Sequence, residues 1–560
     1  MTDSEIPWVD GLTIGEMLKA QSTRYPRHEA LVMPQFGVRW SYQELWERSG
    51  HVARGLLGSG IKKGEHVSIW ATNWPEWVLL QFATARIGAV LVTINPAYRA
   101  SELAYVLKQS DTRSLFLIDQ FRTSDYFQIL KDAIPALKDE SGSQLPLEDY
   151  PKLRQIVSLK GSLGGTTDTW ESFLARGEAV SEEELARAEA ACRPDDPINI
   201  QYTSGTTGFP KGATLTHRNL LLNGYHVGAC QAFEQEDRVC FPVPFYHCFG
   251  CVLGVLGSTT HGATMIVPHE YFVPEKTLSA VEEERATAIY GVPTMFIGML
   301  DSPEFREERT RSLRTGVMAG SPCPTELMNR VVRDMHAEQI TIAYGLTEAS
   351  PVITQTRTTD PLELRVHTVG RVLPGVQVRI VDPGSGEVLG NDQSGELCAR
   401  GHGVMLGYYN MPEQTAAAID RDGWLHSGDF AVRLPNGYFH ITGRLKEMIC
   451  RGGENIYPRE IEEFLHTHPE IQNVAVVGVP DPKYVEETAA WIKQRPGSLL
   501  TEERVREFCK GKLAHYKIPR YIRFVEEFPM TVTGKIQKFK IREAMIAELG
   551  LEQVANEKMA

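Results

Sequence analysis

The spacing of apolar positions changes along the chain, and each change marks a different kind of structure. From Gly64 to about Tyr344, short runs rich in Val, Ile, Leu and Phe alternate with stretches in which apolar residues recur every three to four positions. Such alternation predicts parallel sheets covered by helices, an α/β fold. Strands are expected over 66–71, 90–95, 114–119, 198–202, 238–245, 263–267, 287–290, 315–318 and 339–344, and helices over 77–88, 101–110, 274–285 and 324–335. After Gly370 the runs shorten and alternate, as in 376–381 followed by Pro383-Gly384-Ser385-Gly386, which favours antiparallel β structure in a small barrel or sheet beside the main layers. A last module starts near Gly443, with helices over 458–466, 502–513 and 538–548 and strands over 474–479, 488–493 and 521–526. It reads as a compact α+β unit of ordinary domain size.

The 560 residues are too many for one core and imply at least two folding units. With 42% hydrophobic and 23% charged residues the composition is that of a globular, water-soluble protein. A net charge of −13 disfavours a broad grip on nucleic acid or anionic lipid, so an anionic ligand must be held by local donors. Residues 1–11 carry neither a basic nor an apolar signal region, and 556–560 no targeting or prenylation box, so the expected location is cytoplasmic. The apolar window 248–267 is broken by Ser258, Thr259, Thr260 and His261 and reads as buried core. The nine cysteines look like reduced thiols, and Cys248-x-x-Cys251 beside His247 has no second pair at metal-site spacing, which favours packing over a metal role.

Four segments carry chemistry. After the strand 198–202 comes Thr203-Ser204-Gly205-Thr206-Thr207-Gly208-Phe209-Pro210-Lys211, whose hydroxyls, glycines and lysine make a nest for polyphosphate oxygens. Lys211 is followed by Gly212, so it is not a Walker A loop. Tyr344-Gly345-Leu346-Thr347-Glu348 ends a strand where open α/β sheets bind ligands, with a ring suited to a purine, a hydroxyl suited to a phosphate and a carboxylate suited to Mg²⁺. Trp424-Leu425-His426-Ser427-Gly428-Asp429 ends in a carboxylate suited to a ribose, followed by Gly443-Arg444-Leu445-Lys446-Glu447 and Arg451-Gly452-Gly453-Glu454. Thr531-Val532-Thr533-Gly534-Lys535-Ile536 sets one lysine on a glycine turn.

In this order and spacing the blocks resemble those of the acyl-adenylate-forming superfamily, which includes acyl-CoA synthetases, aryl-CoA ligases, beetle luciferases and peptide-synthetase adenylation domains. The likeness extends from about Thr13 to Glu548 and is nearest to the medium-chain fatty acyl-CoA synthetases, through Asn95-Pro96-Ala97-Tyr98, Phe245-Tyr246-His247-Cys248, 451–458 and 534–540. It implies a large N-terminal AMP-binding domain (1–443), comprising helix-covered sheets and a small β-barrel-like subdomain, and a small mobile α+β C-terminal domain (444–560). It implies ATP, Mg²⁺ and coenzyme A as cofactors. By the same resemblance 203–211 would grip the β- and γ-phosphates, Gly320, Ser321, Pro322 and Tyr344 would line the adenine, and Thr347 would touch the α-phosphate. Glu348 would bind Mg²⁺, Asp429 and Arg444 the ribose, and Gly452 and Gly453 would face pantetheine. Lys446 would be the hinge, Lys535 would bridge carboxylate and α-phosphate, and His247 would gate the acyl pocket.

In small-acid members a tryptophan closes the acyl pocket where this chain has Gly345, and amino-acid-activating members carry an aspartate where it has Tyr246. These departures point away from acetate and amino acids, toward a fatty acid with the apolar stretch 249–256 as pocket wall. His426-Ser427 and Gln537-Lys538 replace commoner family residues. An aryl- or alicyclic-acid CoA ligase remains the alternative, with a non-catalytic nucleotide-binding protein more remote. The expected partners are the small-molecule carboxylic acid, ATP and CoA, without nucleic acid or an integral membrane segment, in a monomer or homodimer.

Overall fold

The computed structural model describes residues 6–138, 145–161, 167–203, 210–321, 323–452, 454–531 and 534–557. Two large sheets occupy the greater part of the chain. In the nine-stranded sheet, Gln339–Gly345, Thr315–Ala319, Ala288–Gly291, Arg238–Cys240, Thr264–Ile266 and Glu29–Met33 lie side by side and parallel. Antiparallel strands extend it on both sides, Val352–Gln355 and then Arg371–Val372 beyond Gln339–Gly345, and Val38–Ser41 beside Glu29–Met33. The eight-stranded sheet has a parallel centre of Pro197–Thr203, Val90–Thr93, His66–Trp70, Thr112–Leu117 and Gln155–Ser158. Lys211–Thr216 turns back antiparallel on Pro197–Thr203.

Helices that look apolar all round are buried all round. Twelve of the thirteen residues of Pro75–Ile87 are buried, as are most of His217–Cys230, which starts from a capping box made by Thr216 and Asn219. The window 248–267 is core as expected, but in an unforeseen form: Phe249–Leu256 is a π-helix running into Gly257–His261 and then the strand Thr264–Ile266. Two expected elements are markedly shorter. The strand expected over 238–245 ends at Cys240, because Pro242 and Pro244 have no N–H to give a sheet. The helix expected over 502–513 ends at Cys509, just before Gly511 at φ +72°.

The small β subdomain is a four-stranded antiparallel sheet of Val376–Val381, Ser394–Gly401, Leu425–Arg433 and Phe439–Arg444. Beyond it, the hairpin Ile471–Asp481/Val485–Gln494 forms the centre of a further sheet, with Tyr521–Phe524 parallel to its second strand. Ile461, Leu465, Val505 and Cys509 cover one face of that sheet and Ile541 and Met545 the other, in two cores built wholly from residues from Ile449 onward. A unit with its own cores can move as one body. Among the described residues no helix is long and apolar enough to cross a membrane.

Candidate active site

Ligands of open α/β sheets gather at strand C-terminal ends, and four strand ends converge here. Thr203 and Lys211 are paired across the mouth of a hairpin, with Pro210 buried beside them. Its tip, comprising Ser204, Gly205, Thr206, Thr207, Gly208 and Phe209, lies outside the described residues. The Lys211 ammonium stands 4.8 Å from the Tyr408 ring centre. Tyr408 donates its hydroxyl to Glu348 Oε1 at 2.7 Å, and Thr203 Oγ1 reaches the same oxygen at 3.4 Å. A carboxylate among hydroxyls supplies the hard oxygen donors that Mg²⁺ prefers, so the residues present fit that ion. Tyr408 was not identified from the sequence; it arrives on the edge strand Gly407–Tyr408, paired to Lys211–Thr216, and no local motif announces it.

The strand Gln339–Gly345 leads to Tyr344, whose hydroxyl donates to Asp429 Oδ2 at 2.8 Å. Arg444, directly opposite Asp429 in the antiparallel pair, gives its Nε–H to Oδ1 at 3.2 Å. Burial holds the Asp429 carboxyl above its ordinary range, with Arg444 and Tyr344 opposing the shift. A cis-diol could bond to this carboxylate and relieve that cost. Thr347 is buried at the start of the turn Thr347–Ala349, within reach of the Cys248 thiol.

Gly345 has a different meaning from the one its sequence context suggests. A Cβ there would lie 1.8 Å from the Pro351 carbonyl oxygen and 2.8 Å from Val352 Cα. The pairing register of Gln339–Gly345 with Val352–Gln355 also shifts between Tyr344 and Gly345. Glycine is required by this close backbone approach, so Gly345 does not report an open acyl-pocket floor.

From the other body, the loop before Lys538–Leu549 inserts Lys535 into the cleft. Thr294 Oγ1 donates to the Gly534 carbonyl at 2.9 Å, and the Lys535 amide donates to Thr531 Oγ1 at 2.9 Å. Gly320, at φ +88° after the strand Thr315–Ala319, leaves room for the lysine stem: a Cβ there would stand 3.4 Å from Lys535 Cε. Ser321 follows on the same loop, and Pro322 lies outside the described residues. Burial, then the charge of Arg444, lowers the Lys535 ammonium from 10.5 to about 8. His247 is nearby; burial and Lys535 push it down to about 3, so its ring is neutral. Its Nδ1 accepts the Phe249 N–H at 3.1 Å, which leaves the hydrogen on Nε2. Behind it Gln201 bridges the two thiols of the C-x-x-C, accepting from Cys248 at 2.7 Å and donating to Cys251 Sγ at 3.1 Å, so this pair is packed rather than metal-binding in arrangement.

Two expected residues stand apart from this cluster. Lys446 is exposed on the turn between Phe439–Arg444 and Ile449–Arg451. Gly452, at φ +60°, donates its N–H to the Tyr484 carbonyl at 2.7 Å on the C-terminal sheet, and Gly453 is outside the described residues.

A helix-covered α/β body that gathers Thr203, Lys211, Glu348, Tyr344 and Asp429 at its strand ends, with a lysine inserted from a second body, has the donors and acceptors suited to a nucleotide. The chain belongs to the AMP-binding enzyme family: residues 18–409 match the AMP-binding enzyme model, and 460–535 match the AMP-binding enzyme C-terminal domain. It is 48% identical over 539 residues to a Bacillus subtilis (strain 168) protein described as "Putative acyl-CoA synthetase YngI", covering 96% of this chain and 98% of that one. Identity to the bovine "Medium-chain acyl-CoA ligase ACSF2, mitochondrial" is 42%, over 96% of this chain and 88% of the relative. Among solved structures, ATP-bound MatB from Rhodopseudomonas palustris superposes with a TM-score of 0.81 at 28% identity, over 95% of this chain and 99% of that chain. A Mycobacterium tuberculosis fatty acyl CoA synthetase superposes at 0.70 and 28%, over 96% and 99%.

Proposed function

We propose that this enzyme activates a medium-chain fatty acid. The chain is an ATP-dependent, AMP-forming acyl-CoA ligase, which consumes ATP, a carboxylic acid and CoA. The observation that carries the residue-level reading is the insertion of Lys535 against Gly320, beside the Tyr344–Asp429–Arg444 group. A carboxylate oxygen attacks the α-phosphorus of ATP in line, pyrophosphate leaves, and the acyl-adenylate passes its acyl group to the CoA thiol with AMP leaving. In the first step 203–211 hold the β- and γ-phosphates, Gly320, Ser321, Pro322 and Tyr344 border the adenine, Asp429 and Arg444 hold the ribose, and Thr347 and Lys535 bind at the α-phosphate. Glu348 would hold Mg²⁺, which when bound neutralises phosphate charge. For the second step Lys535 withdraws as 444–560 swing on Lys446 against 1–443, bringing Gly452 and Gly453 to pantetheine, while His247 borders the acyl group.

Medium chain length is supported by the named activity of the bovine relative and by the wholly buried apolar segment Phe249–Leu256 behind His247. Each methylene buried adds about 0.8 kcal/mol until the pocket is full. Pyrophosphate release should therefore peak at straight-chain acids of about six to twelve carbons. A panel of acids from acetate to palmitate, with benzoate and cyclohexanecarboxylate included, tests this, and faster turnover of acetate or benzoate than octanoate would overturn it. A cytoplasmic location accords with the same reading.

A further inference from the structure

The block that supplies Asp429 contains a second set of groups that nucleotide binding does not use. On the antiparallel pair Ser394–Gly401 and Leu425–Arg433, Cys398 lies opposite His426, and Glu396 is two residues from Cys398 on the same face. His426 Nδ1 stands 2.8 Å from Glu396 Oε2 and 3.4 Å from Cys398 Sγ, and one donor atom from each residue falls within 4.8 Å of the others. Cys398 is fully buried, Glu396 nearly so, and the His426 side chain is 34% exposed, which leaves an approach from solvent.

We propose that Glu396, Cys398 and His426 bind one divalent cation of the zinc class, at a site separate from Glu348. A thiolate, an imidazole and a carboxylate are the usual ligands of that class, and one open position is normal when the protein supplies three. Tetrahedral coordination sets sulfur and nitrogen about 3.5 Å apart, the spacing His426 and Cys398 already have, while Glu396 must recede by about 0.6 Å. Proton balance is met locally. Cys398 gives up its S–H proton to solvent, and the proton on His426 Nδ1 moves to Nε2, which faces Asp420 Oδ2 at 3.8 Å. A carboxylate behind a ligating imidazole fixes that tautomer. Arg379, which donates to Asp420 Oδ2 at 2.8 Å and lies beside Cys398, balances the remaining negative charge. Mg²⁺, which avoids thiolates and demands octahedral oxygen, is not expected here.

The full-length protein, stripped of metals, would be titrated with Co²⁺ in millimolar Mg²⁺ and followed by absorption. One equivalent should bind with a thiolate-to-cobalt charge-transfer band and tetrahedral ligand-field bands, and Zn²⁺ should bleach both. Cys398→Ser should abolish the charge-transfer band, and His426→Gln should weaken binding by about tenfold or more. Cys450→Ser, at a half-exposed cysteine on another sheet, should leave the titration unchanged. Absence of the band in the wild-type protein, its persistence in Cys398→Ser, undiminished affinity in His426→Gln or its loss in Cys450→Ser would each overturn the proposal. If Cys398→Ser fails to fold, His426→Gln, changed at a partly exposed side chain, decides alone.

Discussion

Lys535 illustrates how one side chain can set the pH range of one half-reaction. Burial and Arg444 bring its ammonium to about 8, so it is charged below that pH and neutral above. If it neutralises charge as the carboxylate attacks, kcat/KM for ATP in acyl-adenylate formation, which reports the free enzyme, should fall about tenfold per pH unit above about 8. Acyl transfer from supplied acyl-AMP should not fall there, because the CoA thiol gains thiolate as pH rises. A flat adenylation profile to pH 10 would remove Lys535 from that step. Tyr344 makes a second case. Its hydroxyl donates to the buried Asp429, and removing one such donor to a charged partner costs about 1–3 kcal/mol. Tyr344→Phe should raise KM for ATP about tenfold at unchanged KM for the acid, as steady-state kinetics would show. Lys535, Asp429 and Glu348 are legible in sequence because each stands in a short motif whose neighbours share its role. Tyr408, which holds Glu348, is not, because only the sheet register delivers it to the site.

At the scale of elements, spacing was a reliable guide wherever burial alone sets it. Pro75–Ile87 and the parallel strands His66–Trp70 and Val90–Thr93 fall within a few residues of expectation because each has one apolar environment around it, whereas the parallel strands Glu29–Met33 and Gln155–Ser158 were not expected. It was less informative where backbone chemistry intervenes, at Pro242 and Pro244 and in the π-helix Phe249–Leu256, whose uniformly apolar residues carry no period to read. Gly345 shows the same limit: its identity answers to the Pro351 carbonyl, which lies just before the neighbouring strand Val352–Gln355. Any side chain there must push two strands apart, a strain of at least about 1–3 kcal/mol. Gly345→Ala should lower the thermal midpoint and raise KM for ATP, since the displaced strand carries Tyr344. Gly345→Trp should lose activity toward all acids alike. A Trp variant with wild-type melting and a preference shifted to shorter acids would restore the pocket-floor reading.

For the whole molecule the proposed swing raises the question of where the two bodies would pivot. Leu445 donates its N–H to the Gly428 carbonyl at 2.9 Å, tying it to the N-terminal body. Two residues on, Glu447 is tied to the other body: Lys538 lies 3.1 Å from Glu447 Oε2 and 2.8 Å from Glu462 Oε1, and Glu462 also accepts the Val476 N–H at 2.7 Å. Lys446 is the residue left between the two anchors, so a rotation of the C-terminal body must draw on its φ and ψ. In the present arrangement Lys535 occupies the cleft and Thr294 holds Gly534, which is the placement the proposed adenylation step calls for. Lys446→Pro fixes φ near −65° and should hinder the swing while sparing this arrangement. Rapid-quench analysis should then find acyl-AMP accumulating while acyl-CoA formation fails. Lys535→Ala should do the opposite, losing adenylation by about a hundredfold or more while turning supplied acyl-AMP into thioester near the wild-type rate. Lys538→Met should leave Glu447 and Glu462 without their shared cation and loosen the hinge, slowing both half-reactions modestly and lowering the thermal midpoint. Equal loss of both steps in Lys535→Ala, or normal turnover in Lys446→Pro, would show that the two half-reactions do not divide between two positions of the C-terminal body.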